Sequence, residues 1–364
     1  MMNSLRILCL LAVALSFATD LAAQNGSDET RDRVLGKVDE IERALREHPF
    51  NTADFPNFPK TAGTLIESIR DLTRRGYLYP GLEKIGQLIT VAHATRYAEE
   101  RSAELGPGFP PFDAEWTKVN QRVVKAEQEL GATNWTHRAP AQRALIETAR
   151  SRMGQFLSAG RGFAVHDDTF SGLFWLGQAE GQAEFARFCS SLNLPEKSPA
   201  KAHSVLPELQ SLQEKAVAAF VPPKSIDLHP QFIVLNSLLK TGFEMDAERS
   251  YAGSLYRYLD AVEAYRLLDG VDVDAEQKAI LKQKVASLRN EFNASRERTS
   301  VAEIFLERAE ALANASSPTA VDWRNVEAII EYALPAFSAQ PPPLAARHIS
   351  RKAVRLTLVR WPFT

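Results

Sequence analysis

The sequence predicts an all-α fold: an array or bundle of about twelve antiparallel helices, joined as helical hairpins and followed by an extended or β-like arm at residues 341–364. Apolar residues recur every three or four positions, residue types that begin and end helices flank those segments, and no strand-like alternation precedes residue 341. The predicted helices span approximately 28–47, 61–75, 80–105, 113–130, 139–159, 171–192, 205–220, 229–241, 246–269, 274–296, 300–315 and 320–334.

The first predicted helix illustrates the pattern, because Val34, Val38, Ile41 and Leu45 share one face. The same spacing recurs in the later helices. Each helix should therefore bury one face and expose the other.

Residues at the ends of these segments support the boundaries. Asp274 and Gln277 predict a capping box at the start of helix 274–296. Gly160 and Gly242 are predicted to follow helix ends, because glycine is the commonest residue just beyond a helix.

The domain organisation is predicted from the breaks between helices. The longest polar and proline-containing break, around residues 194–204, divides the chain into helical subdomains 24–193 and 205–335. Residues 251–268 combine aromatic and small residues in a way that resembles a tetratricopeptide-like hairpin. The characteristic repeat of about 34 residues is absent, so this resemblance is architectural and implies no specific family.

Residues 1–23 are predicted to form a secretory signal peptide. Arg6 precedes an apolar run from Ile7 to Phe17, and small residues ending at Ala23 follow. The run is shorter than the roughly twenty apolar residues of a membrane span. We therefore expect cleavage after Ala23 and an exported protein, periplasmic or secreted, with a bacterial envelope as the favoured setting.

Overall composition excludes several broad classes. Of the 364 residues, 45% are hydrophobic and 24% are charged, which is typical of a globular protein with a large core. The 43 basic and 45 acidic residues give a net charge of −2, which argues against binding driven by bulk positive charge. We expect no nucleic-acid partner.

Three tyrosines, Tyr251, Tyr258 and Tyr265, follow one another at heptad spacing in the helix at 246–269. Such a seam faces another helix or a cavity, and each buried phenol needs a hydrogen-bond partner. Packing is the simpler interpretation. The alternative is an aromatic surface that binds a partner, a sugar or a peptide.

The helix at 171–192 contains two glycines, Gly177 and Gly181. Each costs about 1 kcal/mol relative to alanine, so a second helix is expected to approach closely at this face. A ligand wall that includes Trp175 is the alternative interpretation. Cys189, on the same helix, is interpreted as a small buried apolar residue because no histidine lies near it in sequence.

His166 and Asp168 lie just before this helix, where a histidine is adjacent to two carboxylates. The simpler interpretation is that the acids stabilise the helix N-terminus. The functional alternative places them at the mouth of a binding pocket. Zinc, di-iron, haem, serine-hydrolase and P-loop motifs are all missing. We therefore predict no catalytic residue, no metal and no cofactor.

The arm at 341–364 differs from the rest of the chain. It is basic and carries no acid, and its last residues are apolar. It is predicted either to pack on the helical body or to contact an anionic membrane, a polyanion or a partner strand. The candidate contact residues are Arg351, Lys352, Arg355, Arg360 and Trp361.

These observations favour an exported binding or scaffolding protein whose partner is another protein or an envelope component. One alternative is a small-ligand carrier or enzyme with a helix-lined pocket. Another is a peripheral envelope protein that docks on a membrane through its basic arm.

Overall fold

The computed structural model describes residues 28–47, 56–105, 109–132, 138–194, 203–222, 226–268, 272–294 and 301–338. Within these ranges every regular element is helical, which confirms the all-α prediction. The signal peptide and the arm at 341–364 lie outside the described residues. The helices are α1 (28–47), α2 (Phe58–Arg74), α3 (Leu78–Leu105), α4 (Phe109–Gly131), α5 (Pro140–Val165), α6 (Thr169–Ser191), α7 (Leu206–Ala219), α8 (His229–Ala247), α9 (Tyr251–Leu267), α10 (Ala275–Ala294), α11 (Ala302–Ala313), α12 (Ala320–Ala328) and α13 (Leu334–Ser338).

The predicted capping box at the start of α10 is confirmed. The backbone N–H of Gln277 donates to Asp274 Oδ1 at 2.8 Å, and the backbone N–H of Asp274 donates to Gln277 Oε1 at 3.0 Å. Two otherwise orphaned amide groups are thereby satisfied at a solvent-exposed helix end.

Two predicted helix ends are wrong, because α5 continues through Gly160 and α8 continues through Gly242. Packing explains both glycines. A Cβ atom on Gly160 would lie 2.9 Å from the carbonyl oxygen of Gly172, and one on Gly242 would lie 2.8 Å from the Leu209 side chain. Close approach of a neighbouring helix, rather than helix termination, is what these positions require.

The centre of the array is α6, which packs between α3 and α5. A Cβ atom on Gly177 would lie 2.7 Å from Ala94 Cα, and one on Gly181 would lie 2.7 Å from Thr90 Cα. The predicted close approach of a second helix at these glycines is confirmed, and that helix is α3. Gln182 spans the same interface by donating to the Thr90 hydroxyl at 2.7 Å.

The helix directions place the α5–α6 and α7–α8 connections towards the same end of the array. Near the start of α9, the Gly253 N–H donates to Glu147 of α5 at 2.7 Å, and further along both helices Arg257 lies near Arg152. The helices α5 and α9 are therefore parallel. The helix α8 forms an antiparallel hairpin with α9, and α7 packs antiparallel to α8.

Polar contacts join the two predicted halves of the chain. The Tyr79 N–H of α3 donates to Glu307 of α11 at 2.8 Å, and Glu83 pairs with Arg308 across the same interface at 2.6 Å. The division into two subdomains stays a prediction. Among the described helices, none is both long and apolar enough to cross a bilayer.

Candidate partner-binding surface

The connection between α5 and α6 is ordered by the residues that the sequence singled out. Asp168 caps α6 by accepting a hydrogen bond from the Ser171 N–H at 3.0 Å, and hydrogen bonding to Ser171 lowers the pKa of the Asp168 carboxyl. The His166 N–H donates to the Phe163 carbonyl at 3.0 Å and closes α5. Asp167 adopts φ +62° to make the tight reversal.

Aromatic side chains surround this connection. The Phe163 ring stacks on Trp175 with centroids 6.1 Å apart, and Phe156 contacts the same indole at 5.2 Å. Phe163 is 42% exposed, Val165 59% and Phe170 36%. We call this surface the aromatic tip. It consists of Phe163, Val165, Phe170 and Trp175, together with Asp167 and Asp168 in the turn between the two helices.

The helices beneath the aromatic tip are held firmly. The backbones of α5 and α6 meet at Gly160 and Gly172 without intervening side chains. On the other side, Trp116 of α4 donates its indole N–H to the Leu157 carbonyl at 3.0 Å, and Arg161 lies over the same indole at 5.0 Å. The tip therefore presents apolar surface from a well-packed support.

A second apolar surface lies on the α7–α8 pair. Phe220, after α7, packs edge-on against Phe232 of α8 with centroids 5.0 Å apart. Five aliphatic side chains around this pair are each more than half exposed. This surface, the aliphatic end, consists of Val217, Val221, Ile226, Ile233 and Val234.

No family model, curated protein or solved structure matches this chain. Its function must therefore be inferred from the chemistry of its own residues.

The predicted tyrosine seam lies in and around the packed interior. Tyr258 is buried, whereas Tyr251 and Tyr265 are half-buried. A role for these three residues in contacting a partner stays a prediction. Tyr256, a second buried tyrosine of α9 that the sequence did not single out, donates its hydroxyl to Glu83.

That hydroxyl belongs to a buried charge network centred on Arg308 of α11. Its guanidinium contacts Glu83 at 2.6 Å, Glu263 at 2.8 Å and Asp260 at 3.1 Å. Asp260 also accepts from Arg257 at 2.8 Å. The network therefore joins α3, α9 and α11 through groups that are costly to leave unpaired.

Burial perturbs the pKa values of this network. It raises the pKa of Glu263 to about 7, although the Arg308 guanidinium favours the ionised carboxylate. The positive charge of Arg257, together with burial, lowers the pKa of Arg152 on α5 to about 10. Tight pairing and burial make this network a structural link between α3, α9 and α11.

Glu307, next to the network, makes stability depend on pH. Burial raises its pKa to about 8, and the nearby Glu303 carboxylate contributes to the shift. Between about pH 5 and pH 8 the folded protein therefore binds more protons here than the unfolded chain, so stability falls as pH rises. We expect Glu307→Gln to flatten this dependence by on the order of 3 kcal/mol, measured by urea unfolding at a series of pH values.

The glutamine would stay neutral while still accepting the hydrogen bond from Tyr79. The matched control is Glu276→Gln, at an exposed position in the first turn of α10. A Glu307→Gln protein whose pH dependence equals that of the wild type and of this control would contradict the assignment.

A second cluster of titratable groups lies nearer the protein surface. Glu184 of α6 contacts His93 and pairs with Lys37 of α1 at 2.7 Å; despite burial, these partners lower its pKa to about 2. This cluster borders an open depression of about 520 Å³ that is lined largely by charged side chains. Within the described ranges, no group of three or more His, Cys, Asp or Glu side chains is placed to hold a metal ion.

Cys189 lies in the core, and burial raises the pKa of its thiol to about 12. A thiol of this kind is protonated at neutral pH and packs as an apolar group, as the sequence analysis expected.

Sequence reasoning missed Phe163, Val165 and Phe170. The first two lie beyond Gly160, where the helix was predicted to end, so no helical face was assigned to them. The available signal was local, because all three large apolar residues lie within three positions of the polar His-Asp-Asp turn. Apolar residues beside a polar helix connection are candidates for an exposed patch.

Proposed function

We propose that this is an exported binding or scaffolding protein that contacts its partner through the aromatic tip. The observation that carries the proposal is the exposure of Phe163, Val165 and Phe170 at one helix connection, where the Phe163 ring stacks on Trp175 over a well-packed helical support. Exposed contiguous apolar surface on a folded protein commonly marks an interaction site. Aromatic residues are also enriched among those that dominate binding energy.

The surroundings of the tip support this choice. The aliphatic end lies towards the same end of the array, so a large partner could contact both surfaces. His166 and Asp168, which were candidates for a pocket mouth, lie in the turn between Phe163 and Phe170. The two described depressions are open and charged, whereas a carrier of a small apolar ligand would need an enclosed pocket.

A tagged exported protein tests the proposal by partner capture from the fraction in which it occurs. We expect the double variant Phe163→Ser, Val165→Ser to capture at least tenfold less of the partner than the wild type. Its free energy of unfolding should fall by no more than about 2 kcal/mol, because Val165 is 59% exposed and Phe163 is 42% exposed.

The matched control is Val124→Ser, at an exposed aliphatic position in α4 away from the tip. It should capture the same partner at the wild-type level. Equal capture by the tip variant and this control, with both proteins folded, would refute the proposed function.

A further inference from the structure

The aromatic tip combines apolar surface with negative charge. Asp167 and Asp168 are exposed, and neither forms an ion pair with a described residue. Arg161, which precedes Phe163 on α5, is already paired with Asp113 at 3.1 Å. A complementary ligand should therefore be cationic and should also carry apolar or aromatic side chains.

Residues 339–364 of this chain have that composition. They contain five Lys and Arg residues and no acid, whereas residues 24–338 carry a net charge of −7. The apolar side chains of the segment are interleaved with the cationic ones: Val354, Leu356, Leu358, Trp361 and Phe363. Arginine side chains stack favourably on aromatic rings, which the tip supplies in Phe163 and Trp175.

The length of this segment permits the contact. Arg351, the first residue of the docking segment, follows Ser338, the last residue of α13, by 13 positions. At roughly 3.3 Å per residue these positions span up to about 43 Å. The longest helix, α3, has 28 residues and extends about 42 Å at 1.5 Å per residue. Chain length therefore allows Arg351 to lie as far from Ser338 as the length of the longest helix, and the chemistry of the segment selects the surface.

We propose that residues 351–363 dock on the aromatic tip of the same chain, with their cations beside Asp167 and Asp168 and their apolar side chains against Phe163, Val165 and Phe170. This inference rests on the proposed function, since it names an occupant of the same surface. A tethered segment has an effective concentration of about millimolar, so individually weak contacts suffice to hold it.

Photo-crosslinking of the purified full mature chain tests this proposal. Phe163 is replaced by photoreactive benzoylphenylalanine, the protein is irradiated, and the crosslinked peptides are identified by mass spectrometry. We expect crosslinks within one chain to residues 351–363. Their yield should fall at least threefold in 0.5 M salt, and likewise in the variant Arg355→Glu, Arg360→Glu, because opposite charges hold the segment.

Asp167→Asn provides a second charge test at the tip. Asparagine tolerates the positive φ of this position, so the variant removes charge while the turn is retained. Its crosslink yield should also fall. Benzoylphenylalanine at position 124, in an exposed part of α4, is the control and should give no crosslinks to residues 351–363.

Crosslinks from position 163 to other segments alone, or equal crosslinking to the arm from positions 163 and 124, would overturn the proposal. Isotope-labelled mixtures that place the crosslink between two copies would also overturn docking within one chain. Each of these results can be told apart from failure of the proposed function. The proposed function fails only if the variant Phe163→Ser, Val165→Ser captures as much of an external partner as the control. If the arm covers the tip, Arg355→Glu, Arg360→Glu should capture more of that partner than the wild type.

Discussion

Replacement of Gly177 by valine should lower the free energy of unfolding by about 3 kcal/mol or more, because α3 leaves no room for a side chain there. A Cβ atom would lie 2.7 Å from both Ala94 Cα and Tyr97 Cβ and 2.9 Å from the His93 carbonyl oxygen. Two of these three atoms belong to the backbone of α3, so relief requires displacement of a whole helix. Urea unfolding followed by circular dichroism measures the loss.

Gly154→Ala in α5 is the matched control. A Cβ atom at Gly154 meets nothing within 4 Å, and the residue is exposed within a helix. We expect this variant to gain about 0.5–1 kcal/mol through its better helix propensity. The free energy of unfolding of Gly177→Ala should lie between those of Gly177→Val and Gly154→Ala, and below that of the wild type. A Gly177→Val protein as stable as the wild type would show that α3 and α6 are not closely packed at this point.

Removal of the Arg308 guanidinium, as in Arg308→Met, should cost about 3 kcal/mol. The substitution preserves much of the side-chain volume but leaves Glu83, Asp260 and Glu263 without their shared cation. These carboxylates are largely buried, so solvent replaces the lost interactions poorly. Chemical denaturation at pH 7 provides the measurement.

Lys284→Met is the control for the loss of a charge at a surface pair. Lys284 contacts Glu331 at 2.6 Å, but its side chain is about half exposed, so the loss should be below about 1 kcal/mol. Addition of Glu83→Gln to Arg308→Met should recover part of the stability, because one unpaired negative charge is removed. Equal losses from Arg308→Met and Lys284→Met would contradict the role of the buried network.

Local sequence patterns predicted the helices well, because helix formation depends on spacing and end residues that lie close together in the chain. The Asp274 and Gln277 capping box was fully readable. The errors at Gly160 and Gly242 arose because a glycine that ends a helix and a glycine that admits a neighbouring helix look alike in one sequence. Only the three-dimensional arrangement distinguishes these two uses of glycine.

The candidate site was only partly predictable. His166, Asp168 and Trp175 were singled out, and the structure places them around one helix connection. The exposed faces of Phe163 and Phe170 depend on what packs beside them, which sequence spacing does not specify. The partners of Arg308 were equally hidden, because Glu83 lies 225 positions away in the chain. Charges in contact over such separations leave no local pattern.

Photo-crosslinking from the aromatic tip in the cells that produce the protein tests the central claim most directly. Benzoylphenylalanine at position 163 should give discrete products that contain either an external partner or residues 351–363. The same residue at position 124, which is also exposed, should give neither. If the two positions give the same pattern, or if position 163 gives no product in the folded protein, the aromatic tip is not a binding surface.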